Sequence, residues 1–274
     1  MSYAVGVTDD AGRALRGARP FLASRPVEHN LILTLLHQRE ADPIDGRYWT
    51  VTTDGTVVGV GFHSPFDVFA TLTPMPAGAA HALAEAIAGD GHALPGITAD
   101  ATSAANFAGQ WTELKRTAAE PADGKRIYRL SALRPPAAVG GRLRPAGPDD
   151  TELLVAWTTA FTDDIGDLPH DQRPLVEAEL RAAHIWIWED DGPVSMAWHT
   201  DGIEGVTRVR GVYTPPSRRR RGYSAACVGT LSALLVKRDL TCMLYTDLAN
   251  PTSNALYRRL GYEAVLEVLR YRFT

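Results

Sequence analysis

The chain has 274 residues, 45% hydrophobic and 22% charged, with a formal net charge of -4 shared evenly by its halves. That suffices for one large globular domain or two ordinary ones, and it excludes long-range attraction to nucleic acid or to an anionic membrane. Two cysteines, Cys227 and Cys242, are too few for a disulfide framework or a cysteine-based zinc site.

No apolar run reaches the roughly 18 residues of a membrane span. Met1 to Pro20 carries Asp9 and Asp10 where a signal peptide would be apolar. The expectation is a cytoplasmic protein, monomer or homodimer, without nucleic-acid, membrane or metal partners.

Taken in chain order, the first strong signal begins at Arg47, where β-formers alternate around Asp54-Gly55, a pair favoured in two-residue hairpin turns. A β-rich run from Ala70 to Pro76 follows, then an Ala-rich helical stretch, then Thr98 to Phe107. The same order returns from Ile185: a hairpin about Asp191-Gly192, a β-rich run from Val209 to Pro216, an Ala-rich helix, then Thr246 to Tyr257. Trp186 answers Trp49, and Thr252-Ser253 answer Thr102-Ser103. The pattern predicts a tandem duplication of a mixed α/β unit, a mostly antiparallel sheet flanked by helices. Its seam is set near Ala138, in the Pro- and Gly-rich stretch Arg134 to Pro148, giving units 1–138 and 139–274. Asp149 to Ala183 carries helical spacing and opens the second unit with two helices. Asp149, Asp150, Glu152, Asp163, Asp164, Asp167 and Asp171 lie there without a Lys or Arg from Asp149 to Asp171, as a surface for a cationic amine or as ordinary solvated residues.

Arg218 to Ser224 reads R-R-R-R-G-Y-S between a strand and a helix whose Tyr223, Cys227, Thr230 or Leu231, and Leu234 recur on one face. A helix N-terminus offers unpaired N–H groups and partial positive charge, and Gly222 lets a phosphate approach the backbone. Arg219, Arg220 and Arg221 add charge-assisted hydrogen bonds suited to a diphosphate. A solvated loop is the competing reading; a nucleic-acid patch is disfavoured, because the cluster is short and lacks interleaved aromatics. Farther on, Asn250-Pro251 reads as a helix start and Gly261 as its stop. Asn250, Asn254 and Tyr257 then share a face, where amides suit a peptide-like chain and a phenol can donate a proton. Local capping by Asn254 and core packing by Tyr257 are the bland alternatives.

Together, Arg219-Arg220-Arg221-Gly222-Tyr223-Ser224 and N-P-T-S-N-A-L-Y-R-R-L-G-Y from Asn250 to Tyr262 resemble the GNAT N-acetyltransferase superfamily, in a tandem form with a degenerate first unit. Ser224 stands where that family has Gly or Ala. The resemblance implies acetyl-CoA as cosubstrate and an amine of a small molecule or peptide as acceptor, attacking the thioester directly. It implies that the backbone of Val212, Tyr213 and Thr214 binds pantetheine on a splayed strand, and that Tyr257 protonates the departing sulfur. Asp247 is the chosen general base, with Glu204 and His199 behind it. Cys227, inside the helix and without an activating His or Asp in sequence, is not the expected nucleophile. Ala104 and Phe107 stand where Asn254 and Tyr257 stand, and the first unit lacks the arginine turn, so it is expected to fold without binding coenzyme A. A non-catalytic acyl-CoA sensor and an O-acyltransferase remain as alternatives.

Overall fold

The computed structural model describes residues 2–166 and 169–274; Asp167 lies outside them. Among the described residues, ten elements run in one order and then repeat. The first series is β1 (Ala4–Thr8), α1 (Ala11–Ser24), α2 (Asn30–Ala41), β2 (Arg47–Thr53), β3 (Thr56–His63), β4 (Ala70–Leu72), α3 (Ala77–Gly89), β5 (Gly96–Asp100), α4 (Ala101–Lys115) and β6 (Ala119–Leu130). The second is β7 (Arg142–Pro145), α5 (Thr151–Asp164), α6 (Arg173–Arg181), β8 (Ile185–Glu189), β9 (Pro193–His199), β10 (Val206–Tyr213), α7 (Tyr223–Val236), β11 (Thr241–Asp247), α8 (Pro251–Arg259) and β12 (Tyr262–Phe273). Both predicted hairpins form, and the positive φ of Asp54, Gly55, Asp191 and Gly192 explains why Asp-Gly was needed at each turn.

The chain folds as two compact units. One holds the residues up to Ile127 with Thr246–Asn250 and Ala264–Thr274; the other holds Tyr128–Tyr245 with Pro251–Glu263. Ala138 lies between β6 and β7; β6 passes into the second unit at Tyr128, and β12 passes back at Ala264. In the first unit the strand order is β1-β2-β3-β4-β5-β12, with only β4 and β5 parallel. Trp49, Leu83, Ile97, Phe107 and Trp111 form its core beneath α3 and α4.

In the second unit the order is β11-β10-β9-β8-β7, with only β10 and β11 parallel. Cys227, Leu231 and Leu235 of α7 pack with Val194, Val209 and Leu244. Leu154 of α5 and Val176 of α6 pack with Ile187, Met196, Trp198 and Tyr213. Val209 and Tyr213, an even spacing apart on β10, belong to different clusters because the register against β9 shifts between Arg210 and Tyr213. Helix α7 is buried more widely than a single face predicts. Ala226, Val228, Gly229 and Ser232 are buried too, while Thr230 and Leu234 are only partly covered. Small residues explain this close seating: a Cβ on Gly229 would stand 3.0 Å from Pro136.

Candidate active site

The parallel ladder between β10 and β11 runs Val206 to Thr241, Thr207 to Cys242 and Arg208 to Met243, and stops, although β10 continues to Tyr213. The strands therefore part after Arg208. On the other edge, the shift between Arg210 and Tyr213 is centred on Gly211, whose φ of +55 favours glycine and whose absent Cβ would meet Trp198 at 2.9 Å. The end of the strand is pinned by Ser195, whose Oγ donates to the Tyr213 carbonyl at 3.0 Å and lies 2.8 Å from Thr214 Oγ1. Val212 and Tyr213 end the strand and Thr214 follows it, held on one side and freed from β11 on the other.

Thr214 to Gly222 carries the chain from β10 into α7. Arg220 has φ +63 and Gly222 φ +86, which turns the backbone sharply at the helix entrance. Gly222 is the N-cap and makes no side-chain cap; the first helical bond is Ala226 N–H to Gly222 C=O at 3.0 Å. The N–H groups of Tyr223, Ser224 and Ala225 therefore point along the helix axis into the turn, where anions are favoured. Arg220 and Arg221 are exposed at its mouth. Arg219 is placed otherwise. Its Nε donates to the Thr214 carbonyl at 2.9 Å, its guanidinium pairs with Asp164 at the end of α5, and it stacks 5.8 Å from the Tyr213 ring. The Tyr223 side chain likewise turns away, donating its hydroxyl to Asp190 at 2.6 Å. Arg219 and Tyr223 brace the turn, and Ser224 is half-buried just inside the helix.

Asn254 and Tyr257 share the buried face of α8; Asn250 precedes the helix and is exposed. Asn254 Oδ1 accepts the Tyr128 hydroxyl at 2.9 Å. The Tyr257 ring lies 6.4 Å from that of Tyr128 and 6.0 Å from that of Tyr262. Burial pushes the Tyr257 phenol up to about 12, so it holds its proton throughout the neutral range. In α4, Ala104 and Phe107 occupy the same fourth and seventh helical positions and are fully buried.

Asp247 and Asn250 fall in the segment that clusters with the first unit. The Asp247 carboxylate accepts the Ala249 N–H at 2.7 Å, and its carbonyl accepts the Asn250 N–H at 3.1 Å. Glu204 sits in the turn before β10 with φ +48. His199 is buried against the His184 ring at 5.0 Å, and burial holds its pKa below the ordinary histidine value. Burial pushes the Cys227 thiol up to about 12, which suits a structural residue better than a nucleophile. The acidic block is largely committed within its own unit: Asp150 to Arg144, Glu152 to Arg173 and Asp164 to Arg219. Tyr128, Ser195 and Asp190 carry no local sequence signal, and Asp164 shows only as part of the acidic block; each is given its role by what it touches across the fold.

The fold is that of solved GNAT acetyltransferases, and residues 196–271 match the family described as FR47-like protein. A GCN5-related N-acetyltransferase from Sphaerobacter thermophilus superposes with a TM-score of 0.67 at 15% identity, over 98% of this chain and 95% of that one. A GNAT-family acetyltransferase from Colwellia psychrerythraea gives 0.63 at 10% identity, over 99% and 100%. A tandem GNAT protein from the clavulanic acid biosynthesis pathway gives 0.58 at 10% identity, over 98% of both chains. No curated protein matches the chain by sequence. No helix among the described residues is long and apolar enough to cross a membrane.

Proposed function

We propose that the second unit is an acetyl-CoA-dependent N-acetyltransferase that acylates an amine of a small molecule or peptide by direct attack. The observation that carries this reading is the pairing, within one unit, of the β10 edge freed after Arg208 with the uncapped start of α7. The residues present fit the cosubstrate: the Tyr223, Ser224 and Ala225 N–H groups with Arg220 and Arg221 suit a diphosphate. The backbone of Val212 to Thr214 suits an amide-bearing pantetheine arm and an oxyanion. When bound, acetyl-CoA supplies the activated acyl group. Tyr257, still protonated at neutral pH, delivers a proton to the departing sulfur, and the amine proton is released to water.

The first unit, in this reading, binds no coenzyme A. Only Thr73 to Pro76 link β4 to α3, and Ser103 Oγ accepts the Met75 N–H at 2.9 Å, so the chain fills the corresponding turn with its own groups. Calorimetric titration of the full chain with acetyl-CoA is expected to give one site per chain, and thiol release with an amine panel is expected to show turnover. Two equivalent sites would overturn the reading of the first unit; release of thiol without an acylated amine in the mass spectrum would overturn the transferase.

A further inference from the structure

Arg208 and Arg210, on one face of β10, share a single carboxylate, Glu179, which leaves one positive charge in excess where β10 and β11 part. Its ladder partner is Met243, and its side chain faces away from α7, because the neighbouring Cys242 is the residue that packs toward that helix with Sγ 3.8 Å from the Ser232 carbonyl. The Arg208 guanidinium lies 5.7 Å from the Tyr245 ring on the same face of β11. No carboxylate pairs with it among the described residues. Arg210, next on this face, is balanced: it pairs with Glu179, which also holds His184 Nδ1 at 2.8 Å. Yet Arg210 Nε and the Nε1 of Trp198, its cross-strand neighbour, are buried donors without an acceptor. Stacking on Tyr245 leaves the in-plane N–H fork of Arg208 free. Burial above all holds the Arg208 pKa below the usual arginine value, with the like charge of Arg210 adding to it and Tyr245 and Glu179 opposing it. A guanidinium kept there without an ion-pair partner of its own is costly unless a ligand supplies one.

We infer that Arg208 is the specificity-determining residue of the acceptor side and grips a carboxylate, so that the acceptor is an amine also bearing an acid group, of amino-acid type. This rests on the transferase reading above. One unbalanced positive charge matches a monoanion better than a phosphate dianion, and the planar fork matches the two oxygens of a carboxylate. Among the described residues this face of β10 has donors to spare, and its acid, Glu179, is already held by Arg210 and His184, which sets it apart from a site for a dicationic amine.

The test compares thiol release by the full chain with amino acids and with the matching amino-acid amides. The acids are expected to have a kcat/KM at least about tenfold higher. Arg208→Gln should abolish that preference through KM while leaving the Kd for acetyl-CoA unchanged, and Arg208→Lys should keep part of it. Equal use of acids and amides by the wild type, or an equal loss for both in Arg208→Gln, overturns the inference. A second arm titrates N-acetylglycine and N-acetylglycinamide into the coenzyme A-loaded chain. Binding of the acid alone, lost in Arg208→Gln, supports the inference even if no amine is turned over, in which case the transferase reading fails by itself. Turnover without discrimination sinks Arg208 and leaves the transferase standing.

Discussion

The Tyr128 hydroxyl donates to Asn254 Oδ1 across 2.9 Å in the interior of the second unit, joining residues 126 apart in sequence. Asn254 is thereby fixed in rotamer, and with it the buried face of α8 that presents Tyr257 one turn later. Asn254→Ala removes the acceptor from a fully buried phenol, at an expected cost of about 1–3 kcal/mol. Tyr128→Phe in the same background should recover much of that, since the orphaned hydroxyl is gone. A urea-denaturation cycle checks this, and additive losses from the two substitutions would show that the bond contributes nothing.

Tyr257→Phe keeps the ring packing between Tyr128 and Tyr262 and removes only the proton donor. The expected result is a fall in kcat of about 10²-fold or more, with the Kd for acetyl-CoA unchanged. With the phenol pushed up to about 12, its proton is retained from pH 7 to 10, so any alkaline decline in that range should be the same in wild type and variant. A decline at pH 9 that disappears in Tyr257→Phe would contradict this assignment.

The repeated element order was legible because it rests on local chemistry. Asp-Gly turns need positive φ, alternating β-formers need a sheet, and Pro and Gly mark the helix ends. The uncapped start of α7 was legible for the same reason. The roles of Arg219 and Tyr223 were not, since spacing places the backbone of a turn but does not say whether a side chain points into it. Asp164 and Asp190, which draw these two away, lie 55 and 33 residues distant. The return of β12 to the first unit depends on its pairing with β5, from Val268 against Asp100 to Arg272 against Gly96, and no hydrophobic pattern specifies a strand's partner. Arg208 carries no such signal, because an arginine in an alternating strand reads as solvent-facing until its neighbours are known.

If Arg219 braces the turn rather than contacting phosphate, its loss and that of Asp164 should look alike. The pair is half-exposed, so Arg219→Ala or Asp164→Asn should cost less than about 1 kcal/mol in stability. Both should weaken acetyl-CoA binding modestly and with little change in salt dependence, and the double variant should bind no worse than Arg219→Ala. Arg220→Ala and Arg221→Ala should instead raise Kd about tenfold and flatten its dependence on salt. Isothermal titration at two ionic strengths separates the two classes; a salt slope that falls with Arg219→Ala but not with Arg221→Ala would reverse the assignment.

The first unit carries its own acid sensitivity at His63. Its Nε2 is 3.0 Å from the Val68 carbonyl and its Nδ1 is 2.8 Å from His92 Nε2. A neutral His63 that donates to Val68 must accept from His92, so protonating it sets two N–H groups against each other. Burial lowers both pKa values below the ordinary 6.5, opposed at His63 by hydrogen bonding to the Val68 and Phe66 backbone and then by Asp67, opposed at His92 by Asp90, and reinforced at His92 by His63 and Arg47. A folded value below the unfolded one means that the unfolded chain binds the proton first. The stabilisation is therefore fully present above about pH 6.5 and is lost as pH falls toward the folded values. Urea midpoints measured from pH 8 to pH 5 should fall over the lower part of that range. His63→Gln, which keeps a donor for the Val68 carbonyl and cannot titrate, should lose part of the fall, and an unchanged slope would show that the histidine pair is not its source.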